Sequence, residues 1–573
     1  MNIVLSKIIR YCIIFSLLSF IILLFTLDLV IETNGQFVLS GYGILILIYF
    51  VTMMILSNKN KTKIKNILTG NIKKEYLDNT KKSTACIICG YKENPQYFVE
   101  CLESIFVNSS DIDKIILVID GNDESDDYMI DIFNLIFTEN NKYYYLNNTL
   151  DESLDETYNS PEQIKKCKDK FKTDAKFICV SQKHKGKRHA MFTGFQIALI
   201  NNLDLSITVD SDTIFEDNAI NLLKATFNDS RIGGATGNLK IFNNTNIISF
   251  LSYLRYWSAF NLERAYGSYY GGVLCLSGPI SCYRNSILAS DNLLNLWLNQ
   301  MFLGKQCTFG DDRHLTNRIL ETGYQTAYNP YSIAYTETPE TISRFIKQQT
   351  RWTKSGYRES LWVLGFLHKH NILMTIDVVY QLFYPLIIFS LIIYTMWKFS
   401  VLSIIIYLGL IFTVGFIRSI YAVLVTNNLN YLLFYNYSLL YLTIIIPIKF
   451  YALLSLTDTT WGNLGRYKLT NNLVWEWIII GLWNILLLSG FIVTFNLDKI
   501  NYDEYIIFSS LLSVYVFGIA TVFGLSKYSN NKILESIKIK QFKLEDNRSR
   551  IKKIRTDNKE YDSIDDVIVF FQN

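Results

Sequence analysis

Two aspartates follow an apolar stretch in the middle of the chain, in the sequence LSITVDSDT at residues 205–213. The apolar run is typical of a buried β-strand, and alternate side chains of an extended backbone point to the same side. Asp210 and Asp212 can therefore converge at the end of this strand. Two carboxylates there can hold a divalent cation such as Mg²⁺ or Mn²⁺ and leave coordination sites for phosphate oxygens. Acidic residues that simply solvate a strand end would show the same pattern.

Basic residues form a second candidate site in KHKGKRHAMFTGF at residues 183–195. Lys185, Lys187 and Arg188 stand where a helical pattern begins. Cations beside a helix N-terminus suit a diphosphate, because the free backbone amides there add to the positive field. A solvated basic turn is the alternative interpretation.

Asp311 and Asp312 precede the helical pattern of residues 312–322. Adjacent residues project in different directions, so we expect only one of these acids to face the same cleft as Asp210 and Asp212. A carboxylate in that position can accept a proton from an attacking hydroxyl group. Capping of the helix is the commoner use of an aspartate at such a start.

Two further motifs contain residues that suit phosphate and sugar binding. Cys275 precedes a Ser-Gly-Pro turn, where it either packs in the core or faces a bound sugar. Gln348, Arg351 and Trp352 lie on a predicted helix that enters the apolar C-terminal region. Arginine offers a forked contact to phosphate, and tryptophan offers a flat face for a sugar.

The central region alternates strand-like and helix-like patterns, which predicts an α/β domain with a mostly parallel sheet. Ligands bind such sheets at the carboxyl ends of the strands. Tyr91, Asp120 and Asp210 all lie at or just after such ends, and residues 139–170 are predicted to be an insertion. The predicted strands are 84–90, 114–120, 176–180 and 205–210, and the predicted helices are 95–107, 187–201 and 217–227.

The composition is that of a membrane protein, with 50% hydrophobic and only 18% charged residues among 573. Apolar blocks at 11–31 and 37–56 are each long enough to cross a bilayer. Lysines between residues 59 and 82 place the following region in the cytosol by the positive-inside rule. They also account for much of the net charge of +4, which favours a lipid surface over nucleic acid as partner. Residues 246–266 predict an aromatic helix in the membrane interface.

The order of five motifs resembles that of the membrane-embedded processive family 2 glycosyltransferases, which include cellulose, chitin and hyaluronan synthases. The motifs are DGN at 120–122, DSD at 210–212, LSGP at 276–279, GDD at 310–312 and QQTRW at 348–352. Longer segments, among them CGYKENPQYF and GKRHAMFTGF, are similar to the hyaluronan synthases of vertebrates and algal viruses. WGNLGR at 461–466 stands where that family typically has WGTSGR.

This resemblance implies a role for each candidate residue. Asp312 would be the general base, and Asp210 and Asp212 would border or bind the metal, Mg²⁺ or Mn²⁺. The other residues would contact the substrates. Tyr91 and Asp120 would bind the uridine, and the nucleotide would be bound by Lys185, Lys187 and Arg188. The acceptor sugar would lie between Cys275 and Trp352, the diphosphate would be bound by Gln348, Arg351, Trp461 and Arg466, and Asp311, in the same motif as Asp312, would also contact substrate.

The implied activity is inverting, processive synthesis of hyaluronan from UDP-GlcNAc and UDP-GlcA, with extrusion of the growing chain across the plasma membrane. A chitin-type synthase that uses UDP-GlcNAc alone shares these motifs and remains an alternative. A transporter or channel with a cytosolic binding module would leave Asp312 without a function. The oligomeric state is left open.

The implied architecture is a cytosolic GT-A domain inserted between transmembrane helices. It predicts two helices in residues 1–58, a catalytic domain with interface helices in 59–370, a membrane region in 371–526 and a basic cytosolic tail in 527–573. The C-terminal apolar blocks are 376–397, 400–425, 430–456, 474–497 and 504–526. Residues 461–466 and the tail are both cytosolic if 430–456 is interfacial or re-entrant, which gives about six spans in total.

Overall fold

The computed structural model describes residues 3–31, 36–138, 140–244, 246–397, 400–459, 463–464, 468–469, 473–497, 503, 505–514 and 516–521. Three predictions concern residues outside these ranges. They are the diphosphate contacts of Trp461 and Arg466 and the cytosolic position of the tail at 527–573.

A nine-stranded mixed sheet forms the core of the catalytic domain, in the strand order β3-β4-β2-β1-β5-β8-β7-β11-β6. The remaining described strands pair as two short hairpins, β9 with β10 and β12 with β13. The strands are β1 Thr84–Gly90, β2 Lys114–Asp120, β3 Asn141–Tyr145, β4 Phe177–Gln182, β5 Leu205–Asp210, β6 Ile214–Phe215, β7 Ile232–Ile241, β8 Ser281–Arg284, β9 Met301–Phe302, β10 Lys305–Gln306, β11 Gln325–Thr336, β12 Asn463–Leu464 and β13 Lys468–Leu469.

Helices cover the sheet and form the two apolar ends of the described chain. They are α1 Ile3–Ile31, α2 Gln36–Leu68, α3 Pro95–Val107, α4 Asp127–Ile136, α5 Leu150–Ser153, α6 Pro161–Phe171, α7 Lys187–Ile200, α8 Ala219–Ala225, α9 Ile247–Ser258, α10 Ala265–Tyr269, α11 Asn285–Leu288, α12 Leu293–Leu298, α13 Asp311–Glu321, α14 Ile342–Val363, α15 Ile372–Met396, α16 Val401–Thr426, α17 Tyr437–Leu440, α18 Ile446–Leu454 and α19 Val474–Leu497.

The parallel half of the sheet explains why three predicted strands have their predicted bounds. Strands β1, β2 and β5 lie side by side in parallel, and nearly all of their residues are buried. A strand that is buried on both faces appears in the sequence as a continuous apolar run. In this register Cys89 lies opposite Asp210, and β2 ends at Asp120, so both acids reach the same edge of the sheet.

Most strand pairings are parallel, as predicted, and the antiparallel pairings lie in the other half of the sheet, which is mixed: β7 and β11 are parallel, whereas β6 is antiparallel to β11. Strand β8 is antiparallel to both β5 and β7. The insertion at 139–170 is also more regular than its polar sequence predicted. It supplies the edge strand β3, and its helix α6 begins with a capping box in which Ser160 and Gln163 bond reciprocally.

Five helical segments in the described part of the chain are long and apolar enough to cross a membrane: Leu39–Leu68, Ile372–Met396, Val401–Thr426, Leu429–Leu454 and Val474–Leu497. Helix α1 adds 29 residues beside them. The segment 429–454 is irregular, since a 3₁₀ helix opens it and a π-helical turn at Tyr441–Ile445 precedes α18. Its length suffices for a span, and its interfacial or re-entrant position stays a prediction.

An aromatic helical segment connects the catalytic domain to these helices, as the pattern at 246–266 predicted. Helix α9 continues through a π-helical turn at Ala259–Arg264 into α10. On one side Leu262 packs in a cluster with Phe50 of α2. On the other side Phe250 packs with Tyr431 and Phe434. The sheet is therefore held directly against the apolar helices.

Candidate active site

Asp120 fixes the turn before α7 to the end of β2. Its carboxylate accepts hydrogen bonds from the backbone N–H groups of Lys185 (3.1 Å) and Gly186 (2.9 Å). His184 Nδ1 lies 2.9 Å from both a backbone and a carboxylate oxygen of Asp120, and this hydrogen bonding raises the pKa of His184. The imidazole stacks on the Tyr91 ring at a centroid distance of 4.0 Å. The strand end thus presents a flat aromatic surface beside a carboxylate, which suits a nucleobase.

Lys187 and Asp210 form an ion pair at the end of β5, in which Lys187 Nζ donates to Asp210 Oδ1. Burial raises the pKa of Asp210, and the carboxylates of Asp212 and Asp312 raise it further. Lys187 lowers this pKa, but the net effect is a raised pKa. Two neighbouring acids therefore act on Asp210, and the ion pair with Lys187 does not fully offset burial and these two charges. A further cation would relieve this excess of negative charge.

The residues at this strand end fit a divalent cation that binds together with a diphosphate. Asp210 and Asp212 supply two carboxylates, and Thr336 Oγ1 donates to Asp212 at 3.4 Å. Within the described ranges no cluster of three or more His, Cys, Asp or Glu side chains is arranged to hold a metal alone. Mg²⁺ commonly takes one or two carboxylates and completes its shell with water and substrate phosphates. Gly278 borders this strand end, since a Cβ there would lie in van der Waals contact with Asp210 Oδ1, at 3.6 Å.

Arg188 and Asp311, both predicted to contact substrate, bind each other in a buried position. Arg188 Nε donates to Asp311 Oδ1 at 2.7 Å. The other guanidinium nitrogens donate to the Trp297 carbonyl and to Gln300 Oε1, each at 3.1 Å. Trp297 Nε1 in turn donates to the Asp311 carbonyl at 2.9 Å. This network holds the start of α13 against α7 and so positions the next residue, Asp312.

Lys185, the third predicted cation, is directed toward the insertion. Its Nζ lies 3.0 Å from an Asp151 oxygen and 3.1 Å from a Glu152 oxygen, both on the short helix α5. Asp151 also lies 3.1 Å from His189 Nδ1. Sequence reasoning missed Asp151, because its polar surroundings gave no sign that it packs beside α7.

Asp312 lies next to Cys275, which was predicted to face the acceptor sugar. The Cys275 thiol donates to Asp312 Oδ2 at 3.5 Å, and the Arg313 backbone N–H donates to Oδ1 at 2.8 Å. Burial, together with Asp312, raises the pKa of Cys275 to about 11, so the thiol keeps its proton at neutral pH. Thr316 Oγ1 accepts from the Leu276 backbone N–H and donates to the Asp312 carbonyl. The hydroxyl group of Thr316 therefore ties the segment of the thiol to the helix of the acid.

Helix α14 carries the predicted phosphate and sugar contacts. Trp352 is 45% exposed, and its ring lies 6.2 Å from that of Tyr256. Burial lowers the pKa of Arg351 to about 10, an effect that Asp311 partly opposes, so Arg351 remains a cation at neutral pH. Gln348 lies one helical turn before Trp352 and therefore on the same face of the helix.

Comparison with known proteins agrees with this geometry. The family described as "Glycosyltransferase like family 2" matches residues 149–355. Hyaluronan synthase 2 of Homo sapiens is 35% identical over 469 residues, which cover 81% of this chain and 83% of that protein. The chain belongs to the hyaluronan synthase family. Hyaluronan synthase 3 of Mus musculus is 37% identical over 418 residues, with 72% of this chain and 75% of the relative covered.

Membership in the hyaluronan synthase family makes the protein a UDP-sugar glycosyltransferase of membranes, and its α/β domain has a GT-A-like fold. Among solved structures, one similar chain is the mannosyltransferase PcManGT from Pyrobaculum calidifontis, in complex with GDP-Man and Mn²⁺. It has a TM-score of 0.39 and 13% identity, covering 73% of this chain and 98% of its own.

An ion pair anchors the segment that leads into the WGNLGR motif at 461–466. Lys354 Nζ, on α14, lies 2.8 Å from Asp458 Oδ2. The hydroxyl of Thr308 also donates to the Thr459 carbonyl. This part of the chain is therefore tied to the same helix that carries Arg351. Neither Lys354 nor Asp458 was found from the sequence, because the two lie about a hundred residues apart.

Replacing Gly278 with alanine is expected to disturb the ion pair at the end of β5. The new Cβ would lie 3.3 Å from Lys187 Nζ, which is tighter than ordinary van der Waals contact. We expect kcat/KM for UDP-sugar to fall about tenfold, which corresponds to ~1.4 kcal/mol. The rate of UDP release at several substrate concentrations measures this. Gly409→Ala is the matched control, since an added Cβ there meets no described atom within 4 Å. An unchanged kcat/KM in the Gly278 variant would contradict the prediction.

Proposed function

We propose that this family member is an inverting, processive glycosyltransferase that polymerises hyaluronan from UDP-GlcNAc and UDP-GlcA. The observation that carries the proposal is that Asp312, from a distant part of the chain, lies within electrostatic range of Asp210 at the end of β5. Asp210 and Asp212 end β5, and Asp312 begins α13, yet both Asp212 and Asp312 act electrostatically on Asp210. Such a cluster serves a reaction that needs both a cation and a proton acceptor.

The donor half of the site suits a UDP-sugar. Tyr91 and Asp120 would hold the uridine, and Lys187 and Arg351 would stabilise the negative charge that develops on the departing diphosphate. Asp210 and Asp212 would hold Mg²⁺ or Mn²⁺, which when bound supplies further positive charge to that leaving group. Arg188 and Asp311 act through position, because each is bound by the other.

The acceptor half of the site suits the end of a sugar chain. Trp352 offers an exposed ring on which the terminal sugar stacks. Asp312 takes the proton from the attacking hydroxyl group, and the oxygen then forms its bond to the anomeric carbon as the bond to UDP breaks. Attack on the face opposite UDP inverts that carbon. The Cys275 thiol holds the Asp312 carboxylate in place for this step.

Cations among the apolar helices favour hyaluronan over chitin as the polymer. Lys449 Nζ lies 5.2 Å from the Tyr441 ring and 6.0 Å from the Tyr384 ring. The Arg418 guanidinium lies 5.1 Å from the Phe50 ring. A cation in such a segment is costly and usually marks the path of a substrate or ion. Lys449 and Arg418 would attract the carboxylate that hyaluronan carries on every second sugar, whereas uncharged chitin would gain nothing from them.

The same chain would carry the polymer out of the cell. The lysines that follow the first apolar blocks favour a cytosolic position for the catalytic domain, where UDP-sugars would be available. The helices beside the active site would then conduct the chain across the plasma membrane. The bilayer and the growing polymer are thus the partners that we propose.

Incubation of the purified enzyme with labelled UDP-GlcNAc alone, UDP-GlcA alone and both together tests this function. We expect polymer only with both sugars, and hyaluronidase should degrade it. A hyaluronidase-resistant polymer from UDP-GlcNAc alone would identify a chitin-type enzyme. Absence of both polymer and UDP release in an enzyme that binds UDP would contradict a synthase.

A further inference from the structure

A two-fold ion pair lies where the catalytic domain meets the apolar helices. Arg255 Nη2 donates to Glu263 Oε2 at 2.9 Å, and Arg255 Nη1 lies 2.7 Å from Glu263 Oε1. Arg255 is on α9, and Glu263 is in the π-helical turn that follows. Their side chains remain 32% and 42% accessible, so the pair borders open space rather than packed core. Single π-helical turns occur frequently at functional sites.

The immediate neighbours of the pair reach the acceptor site. Tyr256, which follows Arg255, has its ring 6.2 Å from that of Trp352. Arg264, which follows Glu263, donates from Nε to the Cys275 carbonyl at 3.1 Å. The pair therefore lies one residue along the helical segment from two groups that contact the acceptor site.

The opposite side of the pair faces the apolar helices. Arg255 lies within electrostatic range of Tyr437 and Tyr441, which belong to the irregular segment 429–454. Glu263 is within range of Arg418, on α16. The pair therefore stands between the acceptor site and the residues to which we assign the polymer path.

The positive charges around Glu263 favour a carboxylate at this position. Burial raises the pKa of Glu263, but Arg255 opposes this most strongly, and Arg418 and Arg264 add to the opposition, so that the pKa is lowered overall. Arg255 contacts the acid directly, and Arg418 and Arg264 add positive charge within electrostatic range. A partly enclosed arginine without a counter-ion is costly, and Glu263 removes that cost when no other anion is near.

We propose that Arg255 is a recognition site for the hexuronate carboxylate of the nascent chain. Glu263 pairs with Arg255 when no such carboxylate is bound. The inference rests on the proposed function, since it requires a polymer that contains GlcA. As the chain advances, a GlcA carboxylate replaces the Glu263 carboxylate at the forked Arg255 guanidinium. Glu263 then keeps Arg418 and Arg264 as neighbours. An N-acetylglucosamine unit has no charge to exchange, so the site distinguishes the two alternating sugars.

Binding of oligosaccharides of defined length to the purified full-length protein, in the absence of UDP-sugars, tests this inference. The probes are hyaluronan oligosaccharides and N-acetylglucosamine oligomers of equal length. Glu263→Gln keeps the shape of the side chain but removes the competing anion, and we expect it to bind hyaluronan oligosaccharides about tenfold more tightly. Arg255→Gln should bind them at least about tenfold more weakly. Neither change should alter the affinity for the uncharged oligomer.

The surface pair of Arg318 and Glu321 provides the control, with Glu321→Gln expected to match the wild type for both probes. Equal weakening of both probes by the Arg255 and Glu263 variants would show a purely structural pair and overturn the inference. So would unchanged binding of hyaluronan oligosaccharides in both variants. If the wild type makes no hyaluronan from the two UDP-sugars, the proposed function fails instead, whatever the variants bind.

Discussion

Replacing Asp312 with asparagine is expected to abolish polymer synthesis while UDP binding stays nearly unchanged. Asparagine keeps the size of the side chain, and its carbonyl oxygen can still accept from the Cys275 thiol or the Arg313 backbone N–H. It cannot take a proton from the acceptor hydroxyl group. General-base catalysis contributes a factor of about 10² to 10⁴, so kcat should fall at least about a hundredfold. UDP release measures kcat, and calorimetry measures the affinity for UDP.

Glu321→Gln is the matched control for this variant, because Glu321 lies at the far end of the same helix and pairs only with its neighbour Arg318 at 3.0 Å among the described residues. It should retain nearly full activity. Normal UDP release by the Asp312 variant would remove Asp312 from the catalytic role. A loss of UDP affinity as large as the loss of kcat would assign Asp312 to nucleotide binding instead.

Replacing Asp212 with alanine is expected to remove most of the metal-dependent part of nucleotide binding. The change takes away one of the two carboxylates that we assign to the cation. Loss of even an indirect partner of a metal ligand costs about 10- to 100-fold in metal affinity, so loss of a ligand should cost at least about a hundredfold. Titration of UDP in the presence and absence of Mn²⁺ measures this, and the metal-free affinity should change little.

Asp217→Ala controls for the removal of negative charge, since Asp217 is an exposed acid five residues along the same segment. Its Mn²⁺ dependence should equal that of the wild type. If Asp212→Ala keeps the full Mn²⁺ dependence, the cation is held elsewhere, and the assignment of the DSD motif to metal binding is wrong.

The parallel half of the sheet was predictable because each of its strands has a recognisable pattern in its own local sequence. Strands β1, β2 and β5 are short apolar runs, as burial on both faces requires, and β2 and β5 end at aspartates. The aspartates of the GDD motif were also separable in advance. Adjacent helical positions project differently, and the structure directs Asp311 toward Arg188 and Asp312 toward Cys275.

The mixed half of the sheet was not predictable, and strand β7 shows why. Its sequence, IGGATGNLKI, contains three glycines, which are unfavourable in strands and typical of loops. The structure uses them for close contact. A Cβ at Gly237 would lie only 2.6 Å from the backbone carbonyl oxygen of Ser332, on the neighbouring strand β11. Only tertiary packing reveals that requirement.

The basic cluster shows the same limit within the site. Its three cations look alike in sequence, yet the structure gives each a different role. What separates them is the acid that each one meets, and those acids come from distant parts of the chain. The pairs are Lys185 with Asp151, Lys187 with Asp210 and Arg188 with Asp311. The local sequence around each cation therefore does not indicate which acid it pairs with.

The Thr316 hydroxyl has a consequence for repeated turnover. It joins the backbone of Leu276 to that of Asp312. These hydrogen bonds hold the segment of the Cys275 thiol and the helix of the Asp312 carboxylate together as one unit. In the proposed polymerase, we therefore expect the separation of the thiol and the carboxylate to stay the same from one sugar addition to the next.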